Sequence, residues 1–336
     1  MTWINNARIV STFAVVFLHV AIVFMLDNDI DTEYWWFGNI FNVLVRWCVP
    51  SFVMISGALL LDNKNEESLS KFYSKRLSRV LIPILFWSIM YLGLTFIHGL
   101  LDQNPPSLTN LLGLLSSGLP YEHMWFLYMI LGLYLFTPFF RKIVTFSDKK
   151  EISFLVISTF TIASINFIYN SHYARGTSDL FINWFLLYIP FFFTGYLIQK
   201  DHRKPPRVVL WSIFLLSCII SSVGHYLIAI NNQLFFDSYF YGFTSLTVIA
   251  MSVSVMYLLK SCSSPILGAH FNKQLTLLTL GIYLIHPVII EIVNKIGYLT
   301  KFHPIIAVPS MTIVVFVISL LIAWVLHQLP YLRRTI

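Results

Sequence analysis

Charged side chains are scarce in this chain. Asp, Glu, Lys and Arg make up 11% of the 336 residues, whereas 57% are hydrophobic, and the mean hydropathy is +0.75. A soluble domain carries about a quarter charged residues, because its surface has to be solvated by water. The composition therefore excludes an ordinary soluble globular protein and indicates an integral membrane protein.

Cysteine is also scarce, with three residues in the whole chain. Cys48 and Cys218 fall within apolar segments, and Cys262 falls in a short connection. Three thiols so far apart have neither the even number of a disulfide framework nor the close spacing of a zinc site. The sequence therefore predicts no disulfide framework and no metal centre.

Long apolar runs, by contrast, are abundant and predict about ten transmembrane helices. The predicted spans cover residues 9–26, 37–61, 80–101, 123–140, 151–170, 181–199, 207–230, 239–260, 275–296 and 305–328. The connections are short, and no low-complexity stretch or soluble domain is attached to them. The predicted fold is therefore an all-α integral membrane protein, with residues 1–336 forming one transmembrane domain.

The distribution of charge gives the predicted orientation. If the N-terminus is inside, all but four of the 22 Lys and Arg residues lie on the cytoplasmic side, and nine of the 15 acidic residues lie outside. Cytoplasmic loops of membrane proteins are enriched in Lys and Arg, so both termini are predicted to be cytoplasmic. The net charge of +7 then reports membrane orientation, and no nucleic-acid partner is needed to explain it.

The first predicted span carries two ionisable residues on one face. Arg8 and His19 are eleven residues apart, about three helical turns or ~16 Å along the axis. With Arg8 at the cytoplasmic edge of a ~30 Å apolar core, His19 lies near mid-depth. An imidazole there is either a group that moves protons near neutral pH or one that hydrogen-bonds to a neighbouring helix.

Two further spans contain polar groups that need a partner or a water-filled cavity. Arg46 lies within the second span, where Pro50 predicts a kink, and either pairs structurally or stabilises charge. His286 lies ~20 Å beyond Lys273, also near mid-depth, and Pro287 predicts a local break there. His286 fits a second acid or base, a group that orients a ligand, or a packing residue.

Polar residues also cluster at the two predicted membrane surfaces. Arg76 and Arg79 are three residues apart on one helix face at the inner side, which suits a phosphate group, the positive-inside signal or lipid headgroups. Glu122, His123 and Trp125 mark the outer side, where aromatic rings beside a carboxylate suit a sugar and are also typical of an interface belt.

Six of these segments occur in the order seen in the membrane-bound acyltransferase family 3, which the chain resembles from Arg8 to Pro287. The segments are Arg8 with ten residues before His19, RWCVPSFVMISG, RLSRVLIP, HMWFL, YIPFFFTGYLI and GIYLIHP. Ten spans are usual in that family. The compact chain is most similar to its stand-alone O-acetyltransferases of surface polysaccharides.

The resemblance implies a bacterial cytoplasmic (inner) membrane enzyme. It would transfer an acyl group, by default acetyl, from cytoplasmic acetyl-CoA to a hydroxyl of a surface or lipid-linked polysaccharide, without a metal. The CoA phosphates would be bound by Arg8, Arg76 and Arg79. His19 would act as general base, because a thioester is already activated and needs chiefly proton removal and positioning.

Other roles follow from the same resemblance and from the depth of the residues. Arg46 and His286 would assist the chemistry, Arg46 by steadying the tetrahedral oxyanion. Glu122, His123 and Trp125 would bind the acceptor. The competing hypothesis is a transporter of a glycan or small carboxylate, with His19, Arg46 and His286 as a proton and substrate pathway. The acceptor sugar, an acetyl or a succinyl donor, direct transfer or an acyl-enzyme, and a monomer or a homodimer all stay open.

Overall fold

The computed structural model describes residues 1–62, 68–173, 184–232, 238–297 and 302–336. Within these ranges the regular structure is helical, without a strand. The helices are α1 (Thr2–Leu26), α2 (Glu33–Val45), α3 (Cys48–Leu60), α4 (Leu69–Leu101), α5 (Leu108–Ser116), α6 (Trp125–Phe146), α7 (Lys149–Tyr173), α8 (Trp184–Lys200), α9 (Arg207–Asn232), α10 (Leu246–Lys260), α11 (Ala269–Lys295) and α12 (Pro304–Gln328). A 3₁₀ turn, Glu122–Met124, precedes α6.

The all-α membrane fold predicted from the sequence is confirmed. In the described ranges, 8 candidate spans are long and apolar enough to cross a membrane, with α2 and α3 together forming one of them. Helices α7 and α8 occupy the two remaining predicted spans, and residues 181–183 of the predicted span 181–199 lie outside the described residues. The count of ten spans and the cytoplasmic location of both termini stay predictions.

Several helices begin where a hydroxyl side chain caps them. The side chains of Thr32, Ser68, Ser107 and Ser245 accept hydrogen bonds from the backbone N–H three residues later, at the starts of α2, α4, α5 and α10. Such caps satisfy donors that have no partner within the helix, which is why the helices start at these residues. Helix α5, Leu108–Ser116, is a short helix in the connection between α4 and α6.

Helix α1 is the centre of the bundle. It packs against α2, α3, α10, α11 and α12. Its side chains at Ala7, Val16, Val20 and Ala21 are completely buried, and their small size lets neighbouring helices approach closely. The helix that carries the predicted Arg and His is therefore surrounded by other helices.

Helices α3 and α8 touch through their backbones at two glycines. A Cβ atom added to Gly57 would lie 1.8 Å from the carbonyl oxygen of Phe192, and one added to Gly195 would lie 1.8 Å from that of Met54. Any larger side chain would push the helices apart, so glycine is required at both positions. This contact fixes α3, the second half of the second span, against α8.

The second span is broken at Arg46 and Trp47, between α2 and α3. Pro50 lies one turn further along and has no N–H to donate to the Arg46 carbonyl. The predicted kink is therefore confirmed, and it lies four residues before the proline. As a result, Arg46 is the last residue associated with α2, where its side chain turns into the bundle.

The break predicted at Pro287 is wrong. Helix α11 continues from Ala269 to Lys295 with the proline inside it. The carbonyl that Pro287 leaves without a backbone donor belongs to Tyr283, and it accepts a hydrogen bond from the side chain of His286 at 2.7 Å. A side-chain donor thus replaces the missing backbone bond, which allows a transmembrane helix to continue past a proline.

Candidate active site

Two histidines meet in the middle of the bundle. His19 and His286 lie the same number of residues beyond the first residue of α1 and of α11. Their ring centroids are 4.8 Å apart in an edge-to-face arrangement, and Nε2 of His286 lies 3.3 Å from Nδ1 of His19. His286 is completely buried, whereas His19 keeps part of its accessible surface. The two residues predicted at mid-depth therefore form one pair.

The hydrogen-bond partners of the pair locate its protons. Nδ1 of His19 lies 2.9 Å from the Val15 carbonyl oxygen, and Nδ1 of His286 lies 2.7 Å from the Tyr283 carbonyl oxygen. A carbonyl oxygen only accepts, so both Nδ1 atoms carry the hydrogen when the rings are neutral. Nε2 of His286 then accepts from the Nδ1–H of His19. Nε2 of His19 keeps its lone pair, without a partner among the described residues.

His123 lies directly against this pair. Its ring centroid is 5.6 Å from that of His286 and 5.3 Å from that of Tyr283, and the residue is 2% exposed. Neither of its ring nitrogens makes a hydrogen bond of normal geometry within the described residues, although the Leu284 carbonyl is close to the ring. A buried imidazole can satisfy at most one nitrogen on that carbonyl, so at least one nitrogen is left for a ligand.

Two tyrosines that the sequence analysis missed hold His123 in place. The Tyr283 hydroxyl donates to the His123 carbonyl, and the Tyr91 hydroxyl donates to the Leu284 carbonyl at 2.6 Å. Tyr91 also stacks on Tyr121, with ring centroids 4.4 Å apart. Tyr283 could have been found, because it lies three residues before His286 on the same helix face. No pattern in α4 marked Tyr91.

The structure separates the three residues predicted to bind the acceptor. His123 is at the histidine pair, whereas Glu122 is exposed beside it, close enough for its charge to act at His19. Trp125 lies in an aromatic cleft of about 310 Å³. The cleft is lined by Leu119, Trp125, Trp184, Leu187 and Tyr188.

Arg46 is buried among polar partners. Its Nε donates to the Asn42 side-chain oxygen at 2.7 Å, one guanidinium N–H donates to the Tyr241 carbonyl, and the guanidinium carbon lies 3.9 Å above the Tyr241 ring. Asn42 in turn approaches the Leu18 carbonyl at 3.4 Å, and the Tyr241 hydroxyl donates to Asn39 at 2.7 Å. Arg46 is therefore paired structurally, with a side-chain amide oxygen and a backbone carbonyl. The positive charge of Arg46 is also close enough to His19 to interact with it electrostatically.

The end of the bundle that carries Arg8, Arg76 and Arg79 is termed the inner mouth, after its predicted cytoplasmic side, and its polar groups differ from those of the histidine pair. Arg8 and Arg76 are both partly buried and close enough for their like charges to repel, and the Arg76 Nε is buried without a hydrogen-bond partner. Arg79, three residues further along α4, is exposed. In the part of the chain that the structure describes, no carboxylate forms an ion pair with any of the three. Arg8 and Arg76 thus form a pair of cations in need of an anion.

A larger cleft, of about 640 Å³, lies between the ends of α9 and α10 and the connection before α9. Its polar end contains Asp201, whose carboxylate accepts from Arg203 at 3.0 Å and from the Tyr257 hydroxyl at 2.7 Å. Asp201 is also within 3.4 Å of the Lys149 amine. Unlike the inner mouth, this cluster has its charges paired, and none of the predicted site residues lines the cleft.

Comparison with known families identifies the class of protein. The described residues contain no group of three His, Cys, Asp or Glu side chains that could hold a metal ion. The family model for the acyltransferase domain of acyltransferase family 3 matches residues 1–327. The chain therefore belongs to acyltransferase family 3 and is a membrane acyltransferase. No curated protein and no solved structure is similar enough to this chain to match it.

Proposed function

We propose that this protein transfers an acetyl group from cytoplasmic acetyl-CoA to a hydroxyl of a surface or lipid-linked polysaccharide, in the bacterial inner membrane. The observation that carries the proposal is the position of His19, whose Nδ1 contacts a second histidine and whose Nε2 has no partner among the described residues. It lies ~16 Å along one face of α1 from Arg8, and the like-charged Arg76 of α4 is close to Arg8. Family membership supports acyl transfer in general.

The donor would enter at the inner mouth. Arg8 and Arg76 bind the CoA phosphates, since a planar guanidinium makes paired, charge-assisted hydrogen bonds to phosphate oxygens. The extended pantetheine arm then carries the thioester toward His19. Binding the donor would also relieve the repulsion between the two arginines, which stabilises the complex relative to the empty mouth.

His19 acts as the general base. Its Nε2 takes the proton of the acceptor hydroxyl while the hydroxyl oxygen attacks the thioester carbonyl. The tetrahedral intermediate collapses with loss of the CoA thiolate, which takes the proton back from His19. The Val15 carbonyl and Nε2 of His286 face the Nδ1–H of His19 throughout, and both stabilise the imidazolium formed between the two steps.

The other predicted residues support this step. His123 contacts the reacting group through its unpaired ring nitrogen, and the charge of Arg46 favours the oxyanion from within its network of partners. The aromatic cleft around Trp125 binds the face of a sugar ring, whereas Glu122 lies beside the histidine pair. The acceptor thus approaches from the side opposite to the donor.

Two measurements test the proposal. Purified protein should melt at a higher temperature with acetyl-CoA, which is expected of an enzyme that binds the donor and not of a glycan transporter. Mass spectrometry of surface glycans should find an acetyl group in cells carrying the wild-type gene and none in cells carrying His19→Ala. Unchanged glycans together with unchanged melting would refute both donor and reaction.

A further inference from the structure

A proline directly follows His286 in the interior of α11. Pro287 has no N–H, so it cannot donate to the carbonyl of Tyr283, four residues earlier. Proline is the least favourable residue inside a helix, yet α11 continues past it to Lys295. Its position beside the paired histidines suggests a use for the carbonyl that it leaves free.

The free carbonyl is used by the side chain of His286. Nδ1 of His286 lies 2.7 Å from the Tyr283 oxygen. With an ordinary residue at position 287, that oxygen would accept a backbone N–H, which would compete with the imidazole. The Ile282 carbonyl is also close to the His286 ring.

We propose that Pro287 is a positioning residue for acyl transfer, an inference that rests on the proposed function. Pro287 frees the Tyr283 carbonyl, and this carbonyl fixes the proton of His286 on Nδ1. Nε2 of His286 therefore accepts the Nδ1–H of His19, at the observed 3.3 Å. His19 is left with its lone pair on Nε2, where the acceptor hydroxyl arrives. Pro287 itself does not touch the substrate.

The alternative tautomer of His19 would be inactive as a base. It would carry its proton on Nε2, toward the acceptor, and its lone pair on Nδ1 would face the Val15 carbonyl oxygen. Two lone pairs would then face each other, while the acceptor would meet a donor in place of a base. The choice of tautomer therefore decides whether His19 removes a proton. The Val15 carbonyl favours a proton on Nδ1, and the chain Pro287, Tyr283, His286 reinforces that choice by keeping Nε2 of His286 an acceptor.

The substitution Pro287→Ala tests the proposal, because alanine returns an N–H to the Tyr283 carbonyl. The expected kcat is roughly ten- to a hundredfold lower, a part of the ~10² to 10⁴ that a general base supplies. The KM for acetyl-CoA should not change, and Tm should stay equal or rise, because alanine favours a helix and proline does not. A merely structural role predicts the opposite change in Tm.

Pro309→Ala is the matched control. Pro309 also lies inside a helix, α12, and no hydrogen bond or ring contact among the described residues connects it to the histidines. Its replacement should affect Tm in the same direction and leave kcat unchanged. Similar losses of kcat in both variants would overturn the proposal.

A spectroscopic readout measures the tautomer itself. In ¹⁵N-histidine-labelled protein, protonated and unprotonated ring nitrogens give separate signals, and those of the pair are assigned by their loss in His19→Asn and His286→Asn. Wild-type protein should show protonated Nδ1 at both residues, and Pro287→Ala should show a mixture.

Three results would overturn the proposal: wild-type kcat in Pro287→Ala, a lower kcat accompanied by a lower Tm, or protonated Nε2 in the wild-type pair. If wild-type protein transfers no acetyl group at all, the proposed function fails. The nitrogen signals would still show in that case whether Pro287 sets the tautomer, so the two failures are distinguishable.

Discussion

Polar side chains in the middle of the bundle and at its inner mouth differ in how many of their hydrogen-bond and charge partners the protein supplies. In the middle, Arg46 is surrounded by acceptors, and the ring nitrogens of His19 and His286 are bonded except for one lone pair. His123 is the exception there, because its buried ring nitrogens lack a hydrogen bond of normal geometry among the described residues. At the inner mouth, Arg8 and Arg76 repel each other, and one guanidinium nitrogen of Arg76 is buried without a partner.

The difference indicates where a ligand is expected and where protein geometry is set in advance. A buried polar group without a partner costs free energy, so it persists where a ligand supplies the missing bond. Fully bonded groups instead hold their positions before any ligand arrives. Variants in the middle should therefore affect kcat or stability, whereas variants at the mouth should affect the KM for the donor.

The largest expected effect comes from His19→Ala. Removing the base should lower kcat by ~10² to 10⁴ and leave the stabilisation by acetyl-CoA intact, because the imidazole works only in the transition state. Transfer assays and melting curves with acetyl-CoA check both parts. The exposed His270 is a suitable control, since His270→Ala should change neither. Near-normal turnover in His19→Ala would exclude the residue as base.

Arg46→Met should chiefly lower stability. It leaves the Asn42 oxygen and the Tyr241 carbonyl without their donors, at a cost of roughly 1 to 3 kcal/mol for each buried group. Thermal or denaturant unfolding in detergent measures the loss of stability. Arg46→Lys should recover part of it, because lysine can donate a hydrogen bond to one of the two acceptors. A stability equal to wild type would show that these contacts contribute nothing and would remove the contrast with the mouth.

A smaller effect, confined to the donor, is expected at the mouth. Arg76→Lys keeps the positive charge needed for topology but loses the planar fork, so the KM for acetyl-CoA should rise roughly ten- to a hundredfold, equivalent to ~1.5 to 3 kcal/mol. Arg79→Lys is the matched control, because Arg79 is exposed and should change the KM little.

Donor truncation sharpens the same comparison. An acetyl-pantetheine thioester lacks the nucleotide phosphates, so Arg76→Lys should leave its KM unchanged. If both donors are affected equally, or if neither is affected, the two arginines are topological charges and the CoA site lies elsewhere. An equal rise in the KM for acetyl-CoA in Arg79→Lys would instead place Arg79 in the donor site. Insertion into the membrane should be normal in each variant, since the charge is kept.

The smallest effect is expected at the paired charges around Asp201. The Arg203 hydrogen bond, with Tyr257 and Lys149, holds the pKa of Asp201 well below its usual range. A carboxylate with a lowered folded pKa stabilises the protein above the unfolded value of ~3.9, and this contribution shrinks as the pH falls below that value. Asp201→Asn should therefore lower Tm slightly at pH 7.

Melting curves at several pH values check this last prediction. The Tm difference between Asp201→Asn and wild type should diminish as the pH is lowered below about 4. Asp29→Asn, which removes an exposed carboxylate without an ion pair among those described, should show no such trend. A Tm difference that is the same at every pH would rule out the carboxylate's charge as its cause.

The sequence by itself determined the membrane class, the helical segments and the positions of the key polar residues along their helices. Apolar runs must span the bilayer as helices, because a lipid environment offers no other partners for the backbone. Helical rise then places His19 and His286 at matching heights along their helices, and Pro50 predicts a kink in the second span. These features depend on local spacing, which the sequence contains in full.

The tertiary structure alone decided which of these residues touch. The contact between His19 and His286, the arrival of His123 beside them, and the difference between Arg76 and Arg79 all depend on how α1, α4, the turn before α6 and α11 pack together. The continuity of α11 at Pro287 also depends on the tertiary structure, because the His286 side chain bonds to the carbonyl that the proline leaves free. Local rules describe the bond that a proline removes, but the side chain that replaces it is selected by packing, which joins residues far apart in the chain.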